Sequence, residues 1–147
     1  MSKVLIVYHS LTGNTEEMAR AVAEGARSVP GTEVIVKKAF DASADDLLDA
    51  DVAVFGTSTN FGYISGGLKD FFDRSLTVCQ EKCADKPYCT FTSSGMGKRK
   101  ALDVLDGICG MGFKMKKAEE GIMAQGKPAP ETLGELREMG KRIAAAA

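Results

Sequence analysis

From Lys3 to Ile143 the chain alternates short, unbroken apolar runs with longer stretches whose apolar residues recur at helical spacing. Lys3-Val-Leu-Ile-Val-Tyr-His9 opens the series. It is rich in β-branched residues and lacks polar alternation, as in a strand buried on both faces. Met18, Ala19, Val22, Ala23 and Ala26 then share one helical face, which predicts a helix over 14–28 that Pro30-Gly31 closes. Glu33 to Lys38 predicts a second strand. Ser43-Ala-Asp-Asp46 has the form of a helix start, with Leu47 and Leu48 turned inward. Asp51 to Gly56 is a third buried strand, followed by a loop and a helix that takes up Leu68, Phe71 and Phe72.

Lys86 to Thr92 predicts a fourth strand, with Pro87 near its start where no ladder donor is lost. After the loop Ser93 to Gly97, residues Leu102, Leu105, Ile108 and Cys109 line one helical face. Phe113 to Ala118, continuing in broken form to Met123, predicts a fifth strand. Pro128-Ala-Pro-Glu131 starts a last helix that turns Leu133, Leu136, Met139 and Ile143 inward, with Ala144 to Ala147 expected to fray.

Five strands alternating with five helices predict an α/β fold. The expected form is a doubly wound five-stranded parallel sheet, order 2-1-3-4-5, with helices on both faces. The 147 residues are expected to form a single domain over 1–147. Such sheets bind ligands outside the carboxyl ends of their strands, where the strand order reverses. Here that crevice falls between the first and third strands, so loops 10–15, 57–66 and 93–97 are expected to carry the chemistry. The net charge of −1 gives no basic excess, so nucleic acid is not an expected partner. The apolar runs are strand-length and no signal-peptide pattern precedes the first, so no membrane association and a cytoplasmic location are expected.

Ser10-Leu11-Thr12-Gly13-Asn14-Thr15 follows a buried strand and opens a helix. Its hydroxyls, amide and flexible glycine, at the positive end of a helix dipole, suit a phosphate dianion without any Lys or Arg. The plainer alternative is that Thr12 or Asn14 merely caps the helix. Neither G-x-x-x-x-G-K-[ST] nor G-x-G-x-x-G is present, which argues against a P-loop or a dinucleotide fold. In the second loop Thr57, Ser58, Thr59 and Asn60 bring polar groups, and Phe61-Gly62-Tyr63 sets an aromatic beside a glycine, suited to a flat conjugated ring. The third loop, Ser93-Ser94-Gly95-Met96-Gly97, offers backbone donors to a polar ring edge, with Met96 as its one large apolar side chain.

These motifs carry a family resemblance. Ser10, Thr12, Gly13 and Thr15 resemble the flavodoxin phosphate motif [ST]-x-T-G-x-T. Gly56 to Gly62, running into Gly67-Leu-Lys-Asp-Phe-Phe-Asp73, is similar to the second loop and third helix of flavodoxins. That segment and Gly126-Lys-Pro-Ala-Pro-Glu131 also resemble the flavodoxin-like NAD(P)H:quinone oxidoreductases. The resemblance implies FMN, with its phosphate on Ser10 to Thr15 and its isoalloxazine between the second and third loops. It aligns Phe61-Gly62 with the aromatic–glycine pair beside flavin N5, where the glycine carbonyl turns toward N5 on reduction. The implied function is low-potential electron transfer, cycling FMN through the semiquinone. The implied partners are redox proteins: a reductase or ferredoxin-type donor and an acceptor enzyme, served by a monomer. The alternative is an NAD(P)H-dependent FMN/quinone oxidoreductase.

Other candidates are plainer. Cys79, Cys83 and Cys89 form C-x3-C-x5-C, which matches neither a zinc ribbon nor a ferredoxin run, so these and Cys109 are expected to be reduced and structural. His9 is expected near the crevice. Lys98-Arg-Lys100 reads as a solvated first helical turn, with docking of a partner or a pyridine nucleotide as the alternative, and Lys114, Lys116 and Lys117 as the exposed side of an edge strand.

Overall fold

Strand β1 (Ser2–His9) is an interior strand of a parallel sheet, as its apolar character on both faces requires. In the computed structural model, which describes residues 1–147, β2 (Thr32–Lys38) flanks it on one side and β3 (Val52–Ser58) on the other. β4 (Pro87–Ser94) pairs with β3, and both β5 (Lys116–Lys117) and β6 (Ile122–Gln125) pair with β4. Every pairing is parallel and the order is β2-β1-β3-β4-β5, as the sequence predicts.

The pleat sends alternate residues of β1 to two separate cores. Val4, Ile6 and Tyr8 pack under α1 (Asn14–Arg27) and α5 (Pro130–Ala146) with Met18, Val22, Leu136 and Met139. Leu5 and Val7 pack on the opposite face, under α2 (Ala44–Asp49), α3 (Gly66–Cys79) and α4 (Lys100–Asp106). There the Phe72 ring lies 5.0 Å from Phe55 and 5.7 Å from Phe113. Each such ring contributes roughly 1.5–3 kcal/mol by burial. Helices α1 and α5 approach through glycine: a side chain on Gly25 would run into the Arg137 carbonyl, and one on Gly140 into the Val22 carbonyl.

The fifth strand departs from expectation. It is split: Ala118 still donates to the Tyr88 carbonyl, residues 119–121 bulge out between β5 and β6, and Phe113 to Met115 lie outside the ladder. Gly121 re-enters so tightly over β4 that a side chain there would meet Thr90 and Leu102. The bulge is held by Glu119 to Arg142 at 2.7 Å and Glu120 to Lys117 at 2.8 Å. Lys114 consequently has φ 57° and lies off the strand, while Lys117 is ion-paired to Asp106 at 2.9 Å. Lys98 and Arg99 precede α4 instead of forming its first turn, and α4 runs on into a π-turn over Gly107–Gly112. The last helix continues to Ala146 with Ala144 buried, where the sequence predicts fraying from Ala144.

All four cysteines are buried and unbridged. Cys79, Cys83 and Cys109 belong to the α2–α4 core and Cys89 to the α1–α5 core, so the three close in sequence lie on opposite faces of the sheet. Burial pushes the Cys79 thiol up to about 12, with the neighbouring Cys83 adding to the effect, and burial raises Cys89 and Cys109 as well. No helix is long and apolar enough to cross a membrane.

Candidate functional site

The loops that leave β1, β3 and β4 are tied to one another by hydroxyls. Thr15 Oγ1 and Ser93 Oγ lie 2.8 Å apart in a buried hydrogen bond that joins the first loop to the third. The second loop joins the third through Thr59, whose N–H donates to the Ser93 carbonyl at 2.9 Å and whose hydroxyl lies 2.9 Å from Thr92 Oγ1. Thr57 is fully buried; its hydroxyl donates to the Ser58 carbonyl and accepts the Ser65 N–H at 2.8 Å, which fixes the entry into α3.

Between these loops lies a crevice of about 230 Å³. The first loop contributes Leu11, Thr12 and Asn14, the second Ser58, Thr59 and Asn60, and the third Ser93, Ser94 and Gly95. Gly126, at the end of β6, completes the wall; its N–H donates to the Ser94 carbonyl at 3.0 Å. Sequence reasoning did not place Gly126 in the site. The available signal was positional: it follows the second half of the split strand, at the carboxyl end of the sheet. Hydroxyls, amides and backbone groups line the crevice, and no charged side chain does.

The helix start bordering this crevice lacks a side-chain cap, as do those of α4 and α5, but it alone opens onto the crevice through a left-handed glycine. Ser43 caps α2 in a reciprocal capping box and Ser65 caps α3, but no side chain caps α1. Gly13 takes φ 97°, and the first intrahelical bond is Glu17 N–H to the Gly13 carbonyl. The N–H groups of Asn14 to Glu16 therefore have no intrahelical acceptor and stand at the positive helix end. The alternative in which Thr12 or Asn14 only caps the helix is thereby removed. Ser10 lies just outside the crevice, where its Oγ accepts the Gly13 N–H at 3.1 Å. Ser58 Oγ, in the crevice wall, is buried without a hydrogen-bond partner, a costly arrangement that a bound polar group would relieve.

Above the crevice, Asn60 and Tyr63 exchange two backbone hydrogen bonds of 2.9 Å each. They close a tight turn with Phe61 at φ 55° and Gly62 at φ 71°. The Phe61 ring stands fully in solvent at its tip. Met96 is also well exposed, and Gly97 has φ 67° beside the Gln125 side chain. Phe61, Gly62, Met96 and Gly97 thus rim the crevice without lining it.

A larger cleft of about 330 Å³ lies beyond Ser10, over the ends of β1 and β2. His9 is there, edge-on to Phe40 at 5.6 Å and packed against Gly67, so it sits away from the crevice. Glu16 and Asp41 line this cleft, and burial together with the Glu16 charge raises the Tyr8 pKa. With Lys38 as its one cation against two carboxylates, this cleft is net acidic and suits an anion less well than the smaller, uncharged crevice does.

The family model for Flavodoxin matches residues 6–140. The chain belongs to the flavodoxin family. It is 37% identical to a flavodoxin of Aquifex aeolicus over 98% of this chain and 86% of that protein. The flavodoxin structure from Streptococcus pneumoniae TIGR4 superposes with a TM-score of 0.85 at 27% identity, over 99% of this chain and 100% of that one. An NAD(P)H dehydrogenase (quinone) of Acidithiobacillus ferrooxidans is 40% identical, over 55% of this chain and 50% of its own length. Flavodoxins carry electrons on bound FMN. The uncapped α1 start, the uncharged walls and the partnerless Ser58 hydroxyl fit that cofactor.

Proposed function

We propose that this chain acts as a single-domain electron carrier whose FMN sits in the crevice between the loops after β1, β3 and β4. The observation that carries the reading is the uncapped start of α1, opening on a polar wall without charge. The N–H groups of Asn14 to Glu16 hold the phosphate, with the Thr12 hydroxyl and Asn14 amide beside them. Thr15 and Ser93 lock the phosphate loop to the ring loop. Ser58, Thr59 and Asn60 face the sugar-alcohol chain and ring, and the backbone at Ser94 and Gly95 meets the ring's polar edge. Phe61 and Met96 flank its faces. Bound FMN supplies reversible one- and two-electron chemistry; the protein binds it, orients it and shields one edge from water.

The carrier takes electrons from a reductase or ferredoxin-type donor and passes them to an acceptor enzyme, working as a cytoplasmic monomer. The similarity to a quinone dehydrogenase supports the second reading, an NAD(P)H-dependent FMN/quinone oxidoreductase. The direct passage from β4 to α4 through Gly95 to Arg99 favours the carrier, because it leaves no segment to build a separate substrate site. Anaerobic photoreduction of the FMN-loaded protein, then addition of NADPH to the oxidised form, separates the two. The carrier accepts electrons in two resolved one-electron steps and is not bleached by NADPH. Rapid bleaching by NADPH would make it the enzyme.

A further inference from the structure

Four of the nine exposed large apolar side chains, Leu11, Phe61, Tyr63 and Met96, belong to the three loops around one crevice. Large apolar groups gathered at a polar site mark a contact surface. The charge beside them is divided: Glu16 and Glu17 follow the first loop, with Glu16 paired to Arg20, whereas the side of the third loop is basic. Loops 10–15 and 57–66 carry no charged residue. Beyond Met96 come Lys98, Arg99 and Lys100, and Lys127 follows the wall residue Gly126.

The two basic segments are adjacent in space. The Gly126 N–H donates to the Ser94 carbonyl, and the Lys98 N–H donates to Ser94 Oγ at 3.1 Å. Lys98, Lys100 and Lys127 form no ion pair; Asp103 and Glu131, the nearest carboxylates along the chain, reach none of them. Arg99 is partly spent, donating to the Gly121 carbonyl near Glu120. On the Phe61 side the charges cancel locally: Lys69 pairs with Asp73 and Arg74 with Asp70. The acidic cleft of Glu119, Glu120, Glu135 and Glu138 lies against α5 and meets this segment only at Arg99, through the Gly121 carbonyl. A chain with net charge −1 thus presents a locally cationic, apolar-centred mouth.

We propose that this mouth is the docking face for an acidic redox protein, whose carboxylates meet Lys98, Lys100 and Lys127 while its apolar surface meets Phe61 and Met96. The proposal rests on the FMN reading of the crevice and adds the polarity of the partner. Complementary rim charge steers encounter and sets orientation, and at about 0.1 M salt it is screened beyond about 10 Å.

The test is an amide NMR titration of the FMN-loaded protein at low ionic strength with two probes, an acidic [2Fe–2S] ferredoxin and a basic cytochrome c. The ferredoxin is expected to shift the amides of Leu11, Phe61, Met96 and Lys98, and to lose that effect at high salt. The variant Lys98→Glu/Lys127→Glu is expected to weaken ferredoxin binding about tenfold while keeping FMN affinity and the visible spectrum. Three results would each overturn the proposal: cytochrome c mapping to this face, neither probe mapping to it, or NADPH shifting Lys98 and Lys127 where ferredoxin does not. FMN retention is measured separately and the same titration is run on flavin-free protein, so failure of the cofactor reading is distinct from failure of the docking face.

Discussion

Gly62 is the residue expected to tune the redox chemistry. It occupies φ 71° with open space around a would-be Cβ, so substitution there strains the backbone and displaces nothing. Its neighbour Phe61 also holds a left-handed φ, a cost the turn sustains through the paired Asn60–Tyr63 hydrogen bonds. A peptide that turns toward the cofactor in only one redox state shifts the equilibrium by that difference alone. Gly62→Val is expected to change the separation of the two one-electron potentials by about 1–2 kcal/mol, read in a potentiometric titration. FMN affinity of the oxidised form falls much less, and an unchanged separation would remove Gly62 from the redox chemistry. Thr15 works differently from its neighbours, because its hydroxyl is already bonded to Ser93. Thr15→Val is expected to cost about 1.5–3 kcal/mol of FMN affinity by titration. Ser93→Ala should reproduce most of that loss if the loop-to-loop tie is the cause. The sequence marks Thr15, Thr57 and Thr59 equally as hydroxyl donors. It cannot separate a hydroxyl facing the crevice from one spent inside the fold, as Thr57's is, since that division depends on partners distant in the chain.

At the scale of elements, the helix starts divide the labour. The α2 start is self-sufficient: Asp46 accepts from the Ser43 N–H at 2.9 Å and from Lys37 Nζ at 2.9 Å. Ser43→Ala is expected to lower stability by about 1 kcal/mol in denaturant unfolding. Burial alone would raise the Asp46 pKa, but the hydrogen bonds and charge of Lys37 and the Ser43 N–H outweigh it and hold the carboxyl below its usual value. Its contribution is therefore complete above about pH 4 and disappears as pH falls through the depressed folded value. Asp46→Asn should flatten that part of the acid-stability profile, and an unaltered profile would mean that Lys37 and Ser43 exert no net pull. Helices α1 and α5 depend on Gly25 and Gly140 for close approach, so Gly140→Ala is expected to cost roughly 1–3 kcal/mol or more by overpacking. The buried strands β1, β3 and β4 were legible because runs such as Val-Leu-Ile-Val suit only a two-sided interior. The split between β5 and β6 was not. Its bulge is held by Glu119 to Arg142 and Glu120 to Lys117, and a polar stretch in sequence does not disclose ion pairs to a distant helix.

For the whole molecule, the sheet order points to the carboxyl ends of the strands, and charge favours one opening there over another. Two depressions lie over the carboxyl ends of the strands, and the larger one contains Glu16 and Asp41. The smaller one is bounded by donors without acids, at the uncapped start of α1. The central claim is that this crevice selects a terminal phosphate. Isothermal titration of flavin-free protein with FMN, riboflavin and FAD tests it most directly. Several charge-assisted hydrogen bonds to the phosphate predict FMN binding at least about a hundredfold tighter than riboflavin, with FAD also weaker. Equal affinity for FMN and riboflavin would contradict the account and place the phosphate away from the α1 start.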